Sequence, residues 1–272
     1  MKTLLTLASL LFASGAWAAE TCQYSGATSY SGRVLVETIA SSDNGEMTVN
    51  VTARLNARSL LIFNAAYLHQ EISVWRDGEL RSVAVNHRYT LNGSIRRQNW
   101  DVFTRGPTGM TAYRAQANTL TDFQARHPNF VRHWAVAAFG QPWLRDYPMA
   151  APERRPDLDL PKAALAPGIG PPLAMAFYWV RWAAPGRAPV FLPGFKQNPR
   201  VDVPVVLAGT DAAGTRHLSS VAQHPQLGDA PPSVGEAFVT ADHQLRRIMF
   251  EARGSRGKAD GDLRLERCQG VL

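Results

Sequence analysis

The sequence predicts a mainly β protein: an antiparallel curved sheet or a partly open β-barrel that carries a helical, proline-rich insert. Apolar and polar residues alternate with a period of two over residues 46–55, the pattern of a strand with one buried face. Hairpin-type turn dipeptides, Asp77-Gly78 and Asn92-Gly93, separate successive strand-like runs. Prolines are concentrated in residues 141–172, where neither a continuous helix nor a central strand can form.

The first half of the chain is predicted to be a meander of antiparallel strands. Short turn sequences at residues 42–45, 77–78 and 92–93 separate the strand-like runs and predict hairpin connections. The predicted strands are residues 32–40, 47–55, 67–75, 80–89 and 95–103.

The insert is predicted to span residues 116–172. Within it, residues 128–139 are predicted to form a helix, because Pro128 suits the first helical position and Gly140 suits the stop. The prolines that follow are mixed with large apolar residues such as Trp143. We therefore expect the insert to wrap the barrel or to cover its mouth.

Strands are predicted again after the insert. In an extended conformation, residues 173–182 would present apolar side chains on both faces, which predicts a strand that is buried on both sides. The total is ten to eleven strands in a single β domain over residues 19–272. The later predicted strands are residues 201–207, 215–221, 236–240, 244–252 and 261–268.

Residues 1–18 have the three-part pattern of a secretory signal peptide. Lys2 precedes an apolar run, and Ala16 and Ala18 occupy the −3 and −1 positions of a cleavage site. The apolar run is shorter than the roughly 20 residues of a transmembrane helix. The pattern predicts a periplasmic or secreted protein.

The two cysteines predict a disulfide, and the net charge restricts the kinds of partner that are expected. Cys22 and Cys268 are the two cysteines of the chain, and in an oxidising compartment they are predicted to form a disulfide that joins the two ends. A lipid-anchored Cys22 is the competing interpretation.

The net charge of +7 is compatible with an anionic membrane surface or envelope partners. No basic helix or binding motif accompanies it, so nucleic acid is not expected as a partner.

A Trp-Arg-Asp-Gly-x-Leu sequence at residues 75–80 follows an aromatic-rich run and precedes the Asn92-Gly93 turn. In these features the chain resembles an uncharacterised bacterial family of secreted β-proteins. The resemblance covers residues 32–105 and, more loosely, residues 235–253. It implies a curved or barrel-like antiparallel sheet and a periplasmic location, and it implies no catalytic residues. The long insert is a departure from the family pattern.

The sequence shows none of the common nucleophile, metalloprotease or phosphate-binding motifs, so no catalytic residue, metal or cofactor is predicted. His69 and Glu71 lie on one face of a strand, and His87 lies on the next strand of the hairpin. A one-residue slip in register decides whether the two histidines meet. Asp157 and Asp159 are two residues apart in a proline-flanked loop and are weak candidates for a glycosidase pair.

The functional hypothesis, an apolar binding site, is based on the aromatic residues. A half-open barrel offers a concave apolar site with a few polar groups at its mouth, and the insert would serve as a lid. We therefore predict a non-catalytic protein that binds an apolar or amphipathic ligand, such as a lipid or glycolipid. The alternatives are an envelope enzyme acting on glycan or ester, with His69 and Glu71 in acid–base roles, and a scaffold or assembly protein. The predicted lining is Tyr67, Trp75, Trp134, Tyr178, Trp179 and Trp182, with His69, Glu71 and Arg76 as polar groups.

Overall fold

The computed structural model shows one antiparallel sheet of fifteen strands. Its spatial order is β10-β11-β12-β13-β14-β15-β1-β2-β3-β4-β5-β6-β7-β8, and β9 pairs with β7. The structure describes residues 18–28, 32–43, 45–59, 63–115, 153–193, 200–222, 233–254 and 257–270.

Two consecutive meanders make up this sheet, and they are joined where β15 pairs with β1. The N-terminal meander consists of β1 (Ala18–Thr28), β2 (Gly32–Asp43), β3 (Glu46–Ser59), β4 (Phe63–Arg76), β5 (Glu79–Leu91), β6 (Ser94–Gly106) and β7 (Gly109–Ala115). The C-terminal meander consists of β10 (Gly186–Phe191), β11 (Arg200–Thr210), β12 (Arg216–Ala222), β13 (Ser233–Val239), β14 (Leu245–Gly254) and β15 (Gly257–Gln269). The first and last described strands are therefore neighbours in the middle of the sheet.

The two outer ends of the sheet are linked by a connecting segment. The short strands β8 (Glu153–Arg154) and β9 (Leu160–Pro161) pair with β7. The chain then crosses to β10, where Gly170 forms a parallel bridge with Val190. The backbone N–H of Phe191 donates to the carbonyl of Gly170 at 2.8 Å. Because no strand ladder joins the two ends among the described residues, the sheet is a partly open barrel, and the predicted fold class is confirmed.

The hairpin turns predicted from the dipeptides are also confirmed. Asp77 and Gly78 have φ values of 54° and 72°, and Asn92 and Gly93 have 50° and 79°. Positive φ at both central residues is the type I′ geometry, whose twist matches that of the flanking strands. These turns set the register of β4 against β5 and of β5 against β6.

The predicted strand over residues 173–182 is wrong. The chain there forms the helix α1 (Pro172–Phe177), followed by a 3₁₀ helix, Trp179–Trp182. Pro172 at the first helical position and the good helix formers after it explain the start of the helix. Ala174, Phe177 and Tyr178 are buried at helical spacing. A run that is apolar throughout satisfies either period, so the alternation alone did not identify a strand.

The sequence analysis also missed strands at β1, β7 and β10 and the short strands β8 and β9. Two predictions fall outside the described residues. These are the helix over residues 128–139, together with Trp134, and residues 1–17 of the signal peptide. Of the insert, residues 153–172 are described, and they run along β7 and across to β10.

The hydrophobic core lies on the inner face of the sheet, which is the face that carries α1. The helix packs against β3, β4 and β10. Phe177 contacts Tyr24 with ring centroids 5.5 Å apart, and both belong to the core with the valines of β2, β3 and β5. The outer face of β4 is buried as well, since Ile72 is 0% exposed. In the described part of the chain, no helix has the length and the apolar character required to cross a membrane.

Candidate functional site

A partly open cavity of about 300 Å³ lies between α1, the 3₁₀ helix and the C-terminal meander. Apolar side chains form most of its wall, and Ser219, Ser220 and Glu236 are polar members of the lining. This volume is at the lower end of the range for small-molecule sites, about 300–1,000 Å³. The cavity is lined by Pro172, Met175, Ala176, Trp179, Val180, Ala183, Ala188, Val190, Leu192, Val201, Val203, Val205, Leu218, Ser219, Ser220, Gly235, Glu236, Ala237, Ile248, Met249 and Phe250.

Small residues on the inner face account for the position of the cavity. Gly235 and Ala237 face it from β13, Ala188 faces it from β10, and Ala176 faces it from α1. None of these side chains is long enough to fill the space between the helix and the strands. The cavity is therefore encoded by residue size at the contact between the helix and the C-terminal meander.

The wall contributed by β11 shows the strand periodicity directly. Val201, Val203 and Val205 alternate along the strand, and all three line the cavity. Val206 points to the opposite face and is 56% exposed. The two faces of one strand thus separate an apolar lining from a solvated surface.

A buried ion pair fixes the 3₁₀ helix that forms one side of the cavity. The Arg181 guanidinium donates two hydrogen bonds to the Glu20 carboxylate of β1, at 2.5 and 2.9 Å, and its Nε donates to the carbonyl of His243 at 2.6 Å. Each of the two charged residues is 8% exposed. Arg181 therefore joins the 3₁₀ helix to β1 and to the turn between β13 and β14.

The aromatic side chains around Arg181 form a contiguous cluster. Trp179 contacts Trp75 and Tyr178, with ring centroids 5.1 Å apart in both pairs. Tyr178 also contacts Trp182 at 5.0 Å. Burial raises the pKa of Tyr178 to about 12 and raises the pKa of Tyr24 still further, with Glu20 adding to both shifts and Arg181 opposing them.

The structure separates the aromatic residues that the sequence analysis grouped as a lining. Trp179 lines the cavity. Trp75 and Tyr178 are buried in the core beside it, at 3% and 2% exposure. Trp182 is 44% exposed and stacks on His243.

The remaining predicted residues lie elsewhere. Tyr67 is 40% exposed on β4, and Trp134 lies outside the described residues. Arg76 is exposed at the end of β4 and forms an ion pair with Glu46 at 3.2 Å. This ion pair lies away from the cavity.

His69, Glu71, His87 and Tyr67 form a connected polar network on the inner face of β4 and β5. The register places His69 directly opposite His87, and their Nδ1 atoms are 3.1 Å apart. The Nε2 atom of His69 is 2.9 Å from Glu71 Oε1, and Tyr67 Oη is 2.9 Å from His87 Nδ1. The register thus brings together the histidines whose meeting the sequence left open.

Glu71 anchors this network to α1. Its carboxylate is 0% exposed, and its Oε2 accepts hydrogen bonds from the backbone N–H groups of Leu173 and Ala174 at 2.6 and 3.1 Å. The next residues of the helix, Met175 and Ala176, line the cavity. One short helix therefore contacts the polar network with its first turn and the apolar cavity with other side chains.

Cys22 and Cys268 form the predicted disulfide. They are directly paired residues of β1 and β15, so the bond lies across the junction of the two meanders. A disulfide is typical of proteins in oxidising compartments outside the cytoplasm.

Sequence reasoning missed most of the cavity wall. The alternating valines of β11 were a usable signal for one face of it. The Arg181–Glu20 pair had no local signal, because its members are 161 residues apart.

Comparison with known proteins supports the fold alone. No family model matches the chain, and no curated protein matches it. Among solved structures, the chain is similar to the crystal structure of a β-barrel-like protein of a domain of unknown function, DUF1849, from Brucella abortus. The two share 8% sequence identity and a TM-score of 0.53, over 94% of this chain and 98% of the other.

Proposed function

We propose that the protein binds an apolar or amphipathic molecule, such as a lipid or a glycolipid, in the cavity between α1 and the C-terminal meander. The observation that carries this proposal is the cavity itself, about 300 Å³ in volume and lined by valine, alanine, methionine, isoleucine, phenylalanine and tryptophan side chains. Removing apolar ligand surface from water would supply the affinity, at roughly 25 cal/mol per Å² before the costs of binding.

The size of the cavity restricts the ligand. A site at the lower end of the usual volume range suits one slim apolar group better than a bulky multi-chain lipid. Because the cavity is partly open, a polar head group would remain outside, and Ser220 is the polar side chain that shares the inner face with Val205 and Gly235. An amphipathic molecule that inserts one chain satisfies both conditions.

The location proposed for this activity is the periplasm or another extracytoplasmic space. The disulfide supports it, and so does the signal-like pattern of residues 1–18. The net charge of +7 favours approach to an anionic membrane surface, where such ligands are found. The hairpin of residues 75–80 supports a relationship to the secreted β-proteins that share it.

A matched pair of substitutions on β11 tests the site. Val203→Phe places a larger side chain in the cavity, whereas Val206→Phe places the same side chain on the exposed face. Binding of an environment-sensitive apolar dye is measured by fluorescence titration, with a single-chain amphiphile as competitor.

We expect the wild type and Val206→Phe to bind the dye and to release it to the amphiphile, and Val203→Phe to bind at least about tenfold more weakly, since 1.4 kcal/mol of lost contact corresponds to that factor. Circular dichroism and unfolding midpoints check that both variants are folded. Equal dye binding by the two folded phenylalanine variants would contradict the proposed site.

A further inference from the structure

Three potential ligand atoms are linked by short contacts beside β4 and β5. The Nδ1 atoms of His69 and His87 are 3.1 Å apart, and Tyr67 Oη is 2.9 Å from the second of them. The imidazole rings meet edge to face, with centroids 4.4 Å apart. The side chain of His69 is 19% exposed and Tyr67 is 40% exposed, so these atoms are reachable from solvent.

The hydrogen-bond partners fix the tautomer of His69. Glu71 Oε1 is 2.9 Å from Nε2 of His69, and a carboxylate at that distance accepts the ring proton. Neutral His69 then presents the lone pair of Nδ1 toward His87.

This arrangement has the spacing of a metal site. Two imidazole nitrogens that bind one zinc ion at about 2.0–2.1 Å in tetrahedral geometry are about 3.3–3.4 Å apart. The observed separation of 3.1 Å is within a few tenths of an ångström of that value. Imidazole nitrogen suits late first-row divalent ions, whereas Ca²⁺ and Mg²⁺ prefer oxygen ligands.

The surroundings of His69 also match those of a metal-binding histidine. Such histidines almost always donate their second ring N–H to a carboxylate or carbonyl, which orients the ring. Glu71 occupies that position, and it is itself held by two backbone N–H groups of α1. The carboxylate is therefore prevented from rotating away from the histidine.

We propose that His69 Nδ1 and His87 Nδ1, with Tyr67 Oη as a third ligand, bind one divalent transition-metal ion of the zinc class. Glu71 is a positioning residue that orients His69. A water molecule or a small anion would complete the coordination. This site is separate from the apolar cavity, since the residues that form it are absent from the cavity lining.

The test uses the whole chain without an affinity tag, dialysed against Zn²⁺ and analysed for bound metal, with Mg²⁺ as the comparison ion. We expect one Zn²⁺ per chain. Co²⁺ in its place should give visible absorption bands of a four- or five-coordinate site. Loss of a direct ligand costs more than loss of a supporting carboxylate, so His69→Ala and His87→Ala should weaken Zn²⁺ binding by more than about 100-fold.

Two further variants distinguish the roles of the residues. Tyr67→Phe should fold normally and weaken binding less than the histidine variants, with a change in the Co²⁺ spectrum. Glu71→Gln should weaken binding about 10–100-fold, the effect of removing a supporting carboxylate, while the Co²⁺ bands persist. His217→Ala is the matched control, because His217 contacts Glu236 at 3.3 Å on another part of the sheet.

Failure of the wild type to retain Zn²⁺ would overturn the proposal. Equal retention by the wild type and the folded His87→Ala variant would overturn it as well, because the ion would then be bound elsewhere. The dye experiment with the β11 variants is unaffected by either result, so the two proposals can fail separately.

Discussion

The N-terminal meander fills its inner face with side chains, whereas the C-terminal meander leaves part of its inner face open around a cavity of about 300 Å³. Val49, Val51, Val83 and Val85 have exposures of 0% or 1%. On the other side of α1, the corresponding wall contains Gly235 and Ala237. A single short helix therefore closes one half of the barrel and only partly fills the other, because the facing residues differ in size.

The two meanders also differ on their outer faces. In the N-terminal meander, Ile72 and Trp100 are nearly inaccessible. In the C-terminal meander, Val206 and Val221 are 56% and 45% exposed. The first half is therefore buried on both sides, while the second combines an internal cavity with a solvated outer surface.

The largest expected effect comes from removing the disulfide that joins the two meanders. Replacing both Cys22 and Cys268 with alanine removes a bond that closes 246 residues of sequence separation. The chain-entropy model gives a loss of up to about 5 kcal/mol in the free energy of unfolding. Urea unfolding of the variant and of the reduced wild type measures it. A midpoint unchanged from the oxidised wild type would show that the β1–β15 ladder holds the halves together without the disulfide.

The next largest effect is expected from breaking the Arg181–Glu20 ion pair, which connects the 3₁₀ helix to β1. Arg181→Met leaves the Glu20 carboxylate buried without its partner, and breaking a buried pair in this way costs about 3–5 kcal/mol. The exposed Arg187→Met on β10 is the control and should change stability by less than about 0.5 kcal/mol. Equal unfolding free energies for the two variants, measured in urea, would contradict the role given to the pair.

A pair of valine truncations tests the packing difference between the meanders. Val83→Ala opens a new void in the filled half, and the lost methyl groups and the void together cost about 2 kcal/mol. Val205→Ala enlarges a cavity that already exists and should cost about 1 kcal/mol or less. Urea unfolding measures both. If Val205→Ala cost as much as Val83→Ala, the cavity half would be as tightly packed as the other.

A last expected effect is a loss of stability in alkali. In the folded protein Tyr178 holds its proton to a pKa of about 12, and Tyr24 holds its proton higher still, while an unfolded tyrosine loses it near 10. Above pH 10 the unfolded state therefore binds fewer protons, and stability falls as the pH rises.

At pH 11 the loss should be about 1.4 kcal/mol for each tyrosine. It is obtained by comparing unfolding free energies at pH 9 and pH 11. Tyr24→Phe and Tyr178→Phe should each remove one such contribution. Variants with the full pH dependence of the wild type would show that these two side chains do not cause it.

Local patterns in the sequence predicted the fold class and several hairpins. The alternation in residues 46–55 and the dipeptides Asp77-Gly78 and Asn92-Gly93 are short-range signals, and they depend little on the rest of the chain. The strand β10 was missed because it contains Pro189, which is tolerated there since β10 lies at the edge of the sheet. Residues 173–182 were misassigned because a fully apolar run does not distinguish a helix from a buried strand.

The candidate sites depend on long-range packing and could be predicted only in part. His69, Glu71 and His87 were recognisable as a group, but their contact depends on a register that a one-residue slip would change. The cavity requires that α1 and the C-terminal meander face each other across a gap, and nothing local to Met175 or Val203 indicates that arrangement. Trp179 was predicted as lining because of its neighbours, and Trp75 and Tyr178, predicted by the same argument, are buried in the core beside the cavity.

The most direct test of ligand binding is native mass spectrometry of the whole chain, purified from cells without detergent or denaturant. We expect a bound molecule that extracts into organic solvent, present on the wild type and on Val206→Phe and depleted on Val203→Phe. A wild-type protein of unmodified mass that also fails to take up added single-chain amphiphiles would contradict it.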